Sequence, residues 1–244
     1  MTDLSFLTGE RRFERLSRSQ RIQHVLMMIS FFMLVLTGLP LRYYDASWSS
    51  HLIGFLGGFT ARSVLHRVSA VLLTLVCTYH VGWTVLTDRG HRELMALIPK
   101  PKDLFDVIHM LGYYFGLKPD KPKFDRFNFI EKFEYLALAW GSAVMILTGL
   151  ILWFEEQAMV ILPKWSLDIA KVVHSYEAVL AFLAIIIWHF YHVHLNPEVF
   201  PMSRIWLTGE ISEHEMKEHH PLEYERIVGK EREADERAGI ETKR

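Results

Sequence analysis

Cysteine is almost missing from this chain: its 244 residues include one, Cys77. A single thiol excludes an intramolecular disulfide and any cysteine-rich zinc or iron–sulfur centre. No Cys-x-x-Cys-His occurs either, which excludes a covalently attached c-type haem. Charge is scarce where it matters most. The formal net charge is −1, but Asp, Glu, Lys and Arg crowd into the N-terminal segment, one central loop and the C-terminal tail. No nucleic-acid partner is expected from this balance. Internal repeats and low-complexity segments are lacking. So is a cleavable signal-peptide pattern, because the first apolar run follows about twenty polar residues and is long enough to span a membrane.

Between the charged segments lie four long apolar runs. A bilayer core of roughly 30 Å needs roughly 20 apolar residues of helix. The runs cover about residues 22–41, closed near Pro40, then 64–86, 135–154 and 169–194, the last stopped by Pro197. In hydrocarbon each segment must satisfy its own backbone amides, so these are helices. The expected fold is therefore all-α: an integral membrane four-helix bundle over residues 22–195, preceded by a polar segment 1–21 and followed by a charged tail 196–244.

Lysine and arginine in the short flanking segments set the orientation. Arg11, Arg12, Arg15, Arg18 and Arg21 precede the first span, and Arg89, Arg92, Lys100, Lys102, Lys118, Lys121, Lys123, Arg126 and Lys132 lie between the second and third. The other two loops hold few basic residues, so both termini and the central loop are predicted to be cytoplasmic. Trp48, Trp83, Trp153 and Trp165 near the span ends fit aromatic belts. Within the central loop, residues 103–117 (DLFDVIHMLGYYFGL) predict an amphipathic helix on the membrane surface. The tail, with its ERIVGKEREADERAG stretch, is expected to be solvated or to dock a partner. Its HEMKEHH segment spaces His214 and His219 five apart, not at the four of a zinc-binding helix.

An ionisable side chain inside a membrane is costly and usually functional. His24 lies near the start of span one. His66 and His80 lie fourteen residues apart in span two, and His174 and His189 fifteen apart in span four. Steps of fourteen and fifteen return to about the same helix face. At 1.5 Å per residue they separate two levels by roughly 21 Å. Two stacked b-type haems need this arrangement, with one imidazole pair for each iron. Depth pairs His66 with His174 at the outer level. At the inner level His189 pairs with His24, or with His80 as the alternative. Arg21 and Arg67 adjoin candidate ligands and would neutralise propionates, with a positive-inside role as the alternative for Arg21. Gly38, Gly141 and Gly149 would permit close approach of helices or macrocycles, or serve ordinary packing. His192 and His194 read as interfacial.

These residues carry a resemblance. The run RIQHVLMMISFFMLVLTGLPL is similar to the first helix of the cytochrome b (gamma) subunit of membrane-bound formate dehydrogenases and its relatives in nickel–iron hydrogenases and thiosulfate reductases. ARSVLHRVSAV resembles their second helix, EKFEYLALAWGSAVMILTGLILWF their third and VHSYEAVLAFLAIIIWHFY their fourth, over roughly residues 11–195. The resemblance implies two haem b groups, with His24 and His189 as inner ligands and His66 and His174 as outer ones. It also implies a prokaryotic cytoplasmic membrane, an iron–sulfur or multihaem cytochrome c partner, and menaquinone or ubiquinone as the diffusible substrate. The quinone region would be RFNFIEKFEY, with Asn128 and Glu131 as polar contacts. The chain departs from the family in three places. Ile130 replaces an expected glycine, the step from His174 to His189 is one residue longer, and His80 has no counterpart.

The function expected is a di-haem electron-transfer subunit between a redox partner and the quinone pool, with substrate chemistry in another chain. A stand-alone haem-b membrane oxidoreductase and a non-redox transporter are the alternatives. Activity without a partner would mark the first, and a colourless purified protein the second.

Overall fold

The computed structural model describes residues 10–241. In chain order the elements are β1 (Arg12–Glu14), α1 (Arg18–Arg42), α2 (Ser47–Phe55), α3 (Gly58–Leu86), α4 (Asp88–Leu97), α5 (Pro101–Tyr114), α6 (Phe129–Trp153), α7 (Glu155–Ile161), α8 (Trp165–Leu195), α9 (Ile205–Thr208), β2 (Glu210–Ser212), α10 (Glu213–His219) and α11 (Pro221–Glu241). Among the described residues α1, α3, α6 and α8 are long and apolar enough to cross a membrane. These are the four expected spans.

Each span begins earlier than its apolar run, and at two of them a polar capping box sets the start. At α1, Ser17 Oγ accepts the Gln20 N–H at 3.3 Å while Gln20 Oε1 accepts the Ser17 N–H at 2.9 Å. At α6, Asn128 Oδ1 accepts the Glu131 N–H at 2.9 Å and Glu131 Oε2 accepts the Asn128 N–H at 2.8 Å. The last helix is irregular. It is α-helical through Leu183, then π-helical over Ala184–His189 and Tyr191–Leu195.

The bundle is apolar outside and polar within. Leu75, Val81, Leu147, Leu180 and Ile187 are exposed, while Ser30, Thr37, Ser69 and Thr84 are buried. Lipid tails are as apolar as leucine, so the hydrophobic effect does not drive helices together there, and small polar residues line the contacts. Gln23, Ser30 and Thr37 recur every seventh residue along α1 and form its buried stripe. The extensive helix contacts are α1 on α3 and α6 on α8, with α1 also meeting α8. By contrast, α3 and α8 make no extensive contact.

One end of the bundle gathers the described N-terminal segment, the tail and the central loop. There β1 pairs antiparallel with β2, matching Phe13 with Ile211. Phe13, Ile211 and Met216 form a small core backed by Ile205, Tyr224 and Ile227. The tail thus folds back onto the N-terminal segment rather than trailing free in solvent. Arg15, 5 % exposed, reaches Glu223 at 2.5 Å, and Arg126 bridges Glu93 at 2.6 Å and Glu223 at 2.9 Å. His220 is buried within this network, its Nδ1–H donating to Asp125 O at 2.8 Å and its Nε2 facing Arg15 at 3.2 Å. Burial, with Arg15 next to it, pushes the His220 imidazole down to about 3.

The amphipathic segment is α5, flanked by the additional helix α4. It ends at Tyr114, earlier than its apolar pattern suggests. Gly116 adopts φ 71°, and the Gly112 carbonyl accepts from the N–H groups of Leu117 and Lys118. Leu104, Phe105, Ile108 and Leu111 are exposed, whereas Asp106 and Met110 are buried.

Candidate functional site

Two pairs of histidines meet inside the bundle. The His66 ring (α3) lies 6.5 Å from the His174 ring (α8), and the His24 ring (α1) lies 6.5 Å from the His189 ring (α8), centroid to centroid. The two levels are thus joined through α8, which contributes to both. Among the described residues no group of three or more His, Cys, Asp or Glu is placed to hold a metal ion, so the histidines stand in twos.

At the first pair the hydrogen bonds identify the tautomer. Thr37 Oγ1 donates its one proton to Met33 O at 2.6 Å, so at its 2.8 Å contact with His66 Nδ1 it must accept. Thr148 repeats the pattern, donating to Val144 O at 2.7 Å and meeting His174 Nδ1 at 2.9 Å. Both imidazoles therefore carry a proton on Nδ1, and Nε2 is directed away from the threonines. Gly38 and Gly149 make room for the rings. A Cβ at these positions would stand 3.4 Å from His66 Cε1 and 3.2 Å from His174 Cε1. Gly141 lies instead against Glu177, where a Cβ would come 2.8 Å from Oε1.

This donor set suits haem iron. A metal–imidazole bond of about 2 Å plus about 1.1 Å from nitrogen to ring centre, taken on both faces of the iron, places two axial rings about 6.3 Å apart. Both pairs show nearly that separation. At the first pair the rings meet at 66° to each other between α3 and α8, which make no extensive contact elsewhere. A second requirement is a partner for acidic propionates. Arg62 meets it: 9 % exposed and one helical turn before His66, it donates from Nη1 to Thr37 O at 2.7 Å, while its buried Nε has no partner.

At the second pair α8 is widened into a π-helix. A π turn closes i→i+5 hydrogen bonds and so holds one residue more than an α turn. This widening runs up to His189, whose ring meets His24. His189 Nδ1 contacts Glu134 Oε2 at 3.2 Å. Glu134 Oε1 is buried without a partner and lies 3.9 Å from His192 Nδ1. The His24 ring also contacts Trp206 of α9, at 6.2 Å.

His80 is placed differently. Its Nδ1 contacts Gln23 Oε1 at 2.8 Å and its Nε2 contacts the Tyr135 hydroxyl at 3.1 Å. Both ring nitrogens are engaged, in a network that continues from Gln23 Nε2 to Ser19 Oγ at 3.1 Å. Arg21 donates from Nη1 to Leu207 O, and its buried Nε has no partner. Arg67 turns outward, its guanidinium 5.2 Å over the Trp153 ring. Asn128 and Glu131 form the α6 cap, and Glu131 Oε1 lies 3.8 Å from Arg15 Nη2. His192 packs on Trp188 at 4.8 Å and His194 on Phe190 at 5.3 Å.

Sequence reasoning passed over Arg62, Glu134 and the threonines. Arg62 and Glu134 were legible as charged residues at span margins. The threonines carried a weaker signal, each standing immediately before a glycine, Gly38 or Gly149, that faces a histidine.

Residues 15–205 match the family model of prokaryotic cytochrome b561. The chain is also similar to the formate dehydrogenase cytochrome b556 subunit of Haemophilus influenzae, 23 % identical over 223 residues that cover 91 % of this chain and 86 % of that protein. The matched region takes in all four spans and both histidine pairs. The chain belongs to the prokaryotic cytochrome b561 family and is a membrane electron-transfer protein of the haem-b class.

Proposed function

We propose that the chain is a di-haem cytochrome b subunit relaying electrons between a redox partner and the membrane quinone pool. The observation that carries this reading is the equal 6.5 Å separation of two histidine pairs, each reaching across the bundle to α8. When bound, haem b supplies a one-electron ferric/ferrous couple. The chain's own residues supply position and environment. His66 and His174 would ligate at one level, their Nε2 atoms freed by Thr37 and Thr148. His24 and His189 would ligate at the other. His80 supports the bundle from outside the pair, because both its nitrogens are already engaged. Arg62 and Arg21 would face propionates with their unpartnered Nε atoms, while Arg67 anchors the span end at Trp153.

The end that gathers the N-terminal segment, the tail and the central loop carries most of the basic residues and is read as cytoplasmic. The exposed apolar face of α5 would lie on the membrane surface there. The quinone head would bind at the start of α6, where Asn128 Nδ2 and Glu131 Oε1 stand outside the reciprocal cap bonds. The Haemophilus influenzae relative is named as a formate dehydrogenase subunit, and by analogy this chain is read as a subunit whose partner, an iron–sulfur or multihaem cytochrome c protein, performs the substrate chemistry.

A haem count on the purified protein and its single variants tests the reading. Two haems per chain are expected, with His66→Ala and His174→Ala each losing one and His24→Ala and His189→Ala each losing the other. Retention of two haems by His24→Ala with loss of one by His80→Ala would overturn the second pair. Asn128→Ala and Glu131→Ala should slow quinone turnover with haem content intact. Normal quinone kinetics in both would remove the proposed contacts.

A further inference from the structure

The two histidine pairs differ in what holds the rings. At the first pair both Nδ1 protons go to neutral threonine hydroxyls, at 2.8 and 2.9 Å. At the second, the α8 imidazole meets a carboxylate, Glu134 Oε2 at 3.2 Å from His189 Nδ1. A carboxylate only accepts, so the Nδ1 proton stays on His189, and Nε2 is the nitrogen left for a ligand. The second carboxylate oxygen is the anomaly. Glu134 Oε1 is buried with no hydrogen-bond partner, and His192 Nδ1, 3.9 Å away, is already engaged with Trp188 O at 2.9 Å. Its ion-pair neighbours among the described residues are these two histidines, with no lysine or arginine. A carboxylate in a span, half-satisfied and without a cation, is expensive to keep. A positive centre on the far side of the His189 ring offsets that cost, and ferric haem iron with two neutral imidazoles and a dianionic macrocycle carries a net positive charge.

We propose that Glu134 is a positioning residue for the haem ligand His189: it accepts a hydrogen bond from Nδ1–H, fixes Nε2 as the ligating nitrogen, and lowers the reduction potential of the haem at that level. A charged acceptor raises the basicity of the imidazole and favours the ferric state, as outer-shell carboxylates do at metal–histidine sites. The first pair, supported by hydroxyls, lacks this bias. The two haems would therefore be set apart in potential by their ligand-orienting groups as well as by depth. This rests on the di-haem reading above.

The test is a redox titration of the purified two-haem protein followed optically, with low-temperature electron paramagnetic resonance of the oxidised form. Wild type, Glu134→Gln and Glu134→Asp are compared. In Glu134→Gln one of the two midpoint potentials should rise and one low-spin signal should move, while the other haem is unchanged. Glu134→Asp should lie closer to wild type. Haem retention at that level should weaken roughly 10–100-fold in Glu134→Gln. If Glu134→Gln sheds the haem outright, its retention by Glu134→Asp supports the same role. Unmoved potentials and spectra in Glu134→Gln, equal shifts of both haems, or loss of the haem in both variants overturn the proposal. Failure of the di-haem reading shows separately, as a wild-type protein with fewer than two haems or a His189→Ala variant that keeps both.

Discussion

Replacing Gly149 with alanine probes the site with a single methyl group. The new Cβ would stand 3.2 Å from His174 Cε1 and 3.8 Å from Nδ1. Favourable carbon–carbon contacts begin at about 3.5 Å, so the ring must retreat by a few tenths of an ångström. Its freedom to do so is small. Nδ1 is tied to Thr148 Oγ1 at 2.9 Å, and Thr148 is tied to its own helix at Val144 O, 2.7 Å away. Overpacking of this kind costs about 1–3 kcal/mol, which corresponds to haem binding weakened about 5- to 150-fold at that level. The helix itself gains, since alanine is better than glycine in a helix interior by up to about 1 kcal/mol. Haem loss and unfolding are thereby separated: the variant should express and resist heat like the parent but release one haem faster to an excess of a haem scavenger. Gly38→Ala is the internal standard. Its Cβ would stop 3.4 Å from His66 Cε1, so its effect should be smaller. Wild-type haem release from Gly149→Ala, or a larger defect in Gly38→Ala, would refute the argument.

The neighbouring groups give further expectations. Thr148→Val keeps the shape but leaves the His174 Nδ1–H without an acceptor, a loss of about 1–3 kcal/mol, whereas Thr148→Ser should retain the haem; equal haem content in both variants would show the hydroxyl to be idle. Arg62→Gln removes a buried cation one turn from His66 and should lower the midpoint potential of that haem, leaving the other in place, as read by the same titration. The tail should respond to acid. Its His220 imidazole sits at about 3 in the folded chain, below its ordinary value near 6.5, so only the undocked state takes up the proton. Docking is then fully stable above about pH 6.5 and weakens as pH falls toward 3, by about 2 kcal/mol at pH 5. Hydrogen exchange of residues 205–230, corrected for intrinsic rates, should rise between pH 7.5 and 5 in wild type. An unchanged corrected rate would contradict the assignment.

Much of this was legible in the amino-acid order because a bilayer imposes simple rules. Four apolar runs had to be helices, and histidines placed at two depths on three of them had to be explained together. The ends of the helices were less legible. The runs mark where lipid begins, whereas Ser17 and Asn128 start their helices in the polar zone beyond it. The charged composition of the tail reads as solvated or partner-docking. Its apolar residues Ile205, Ile211, Met216, Tyr224 and Ile227 are too few and too scattered to announce a core until β1 supplies Phe13.

Sequence by itself therefore determined the class of protein: a four-span membrane bundle carrying paired histidines, since length, hydropathy and spacing along one helix are all local quantities. The tertiary structure decided which nitrogens are free. Whether His24 or His80 faces His189 depends on helix rotation, and rotation depends on packing. Gln23 and Tyr135 occupy both nitrogens of His80, and the π-helical turn before His189 carries that ring round to His24. Neither fact is written in the spacing, because fifteen residues describe one angle in an α-helix and another once the helix widens.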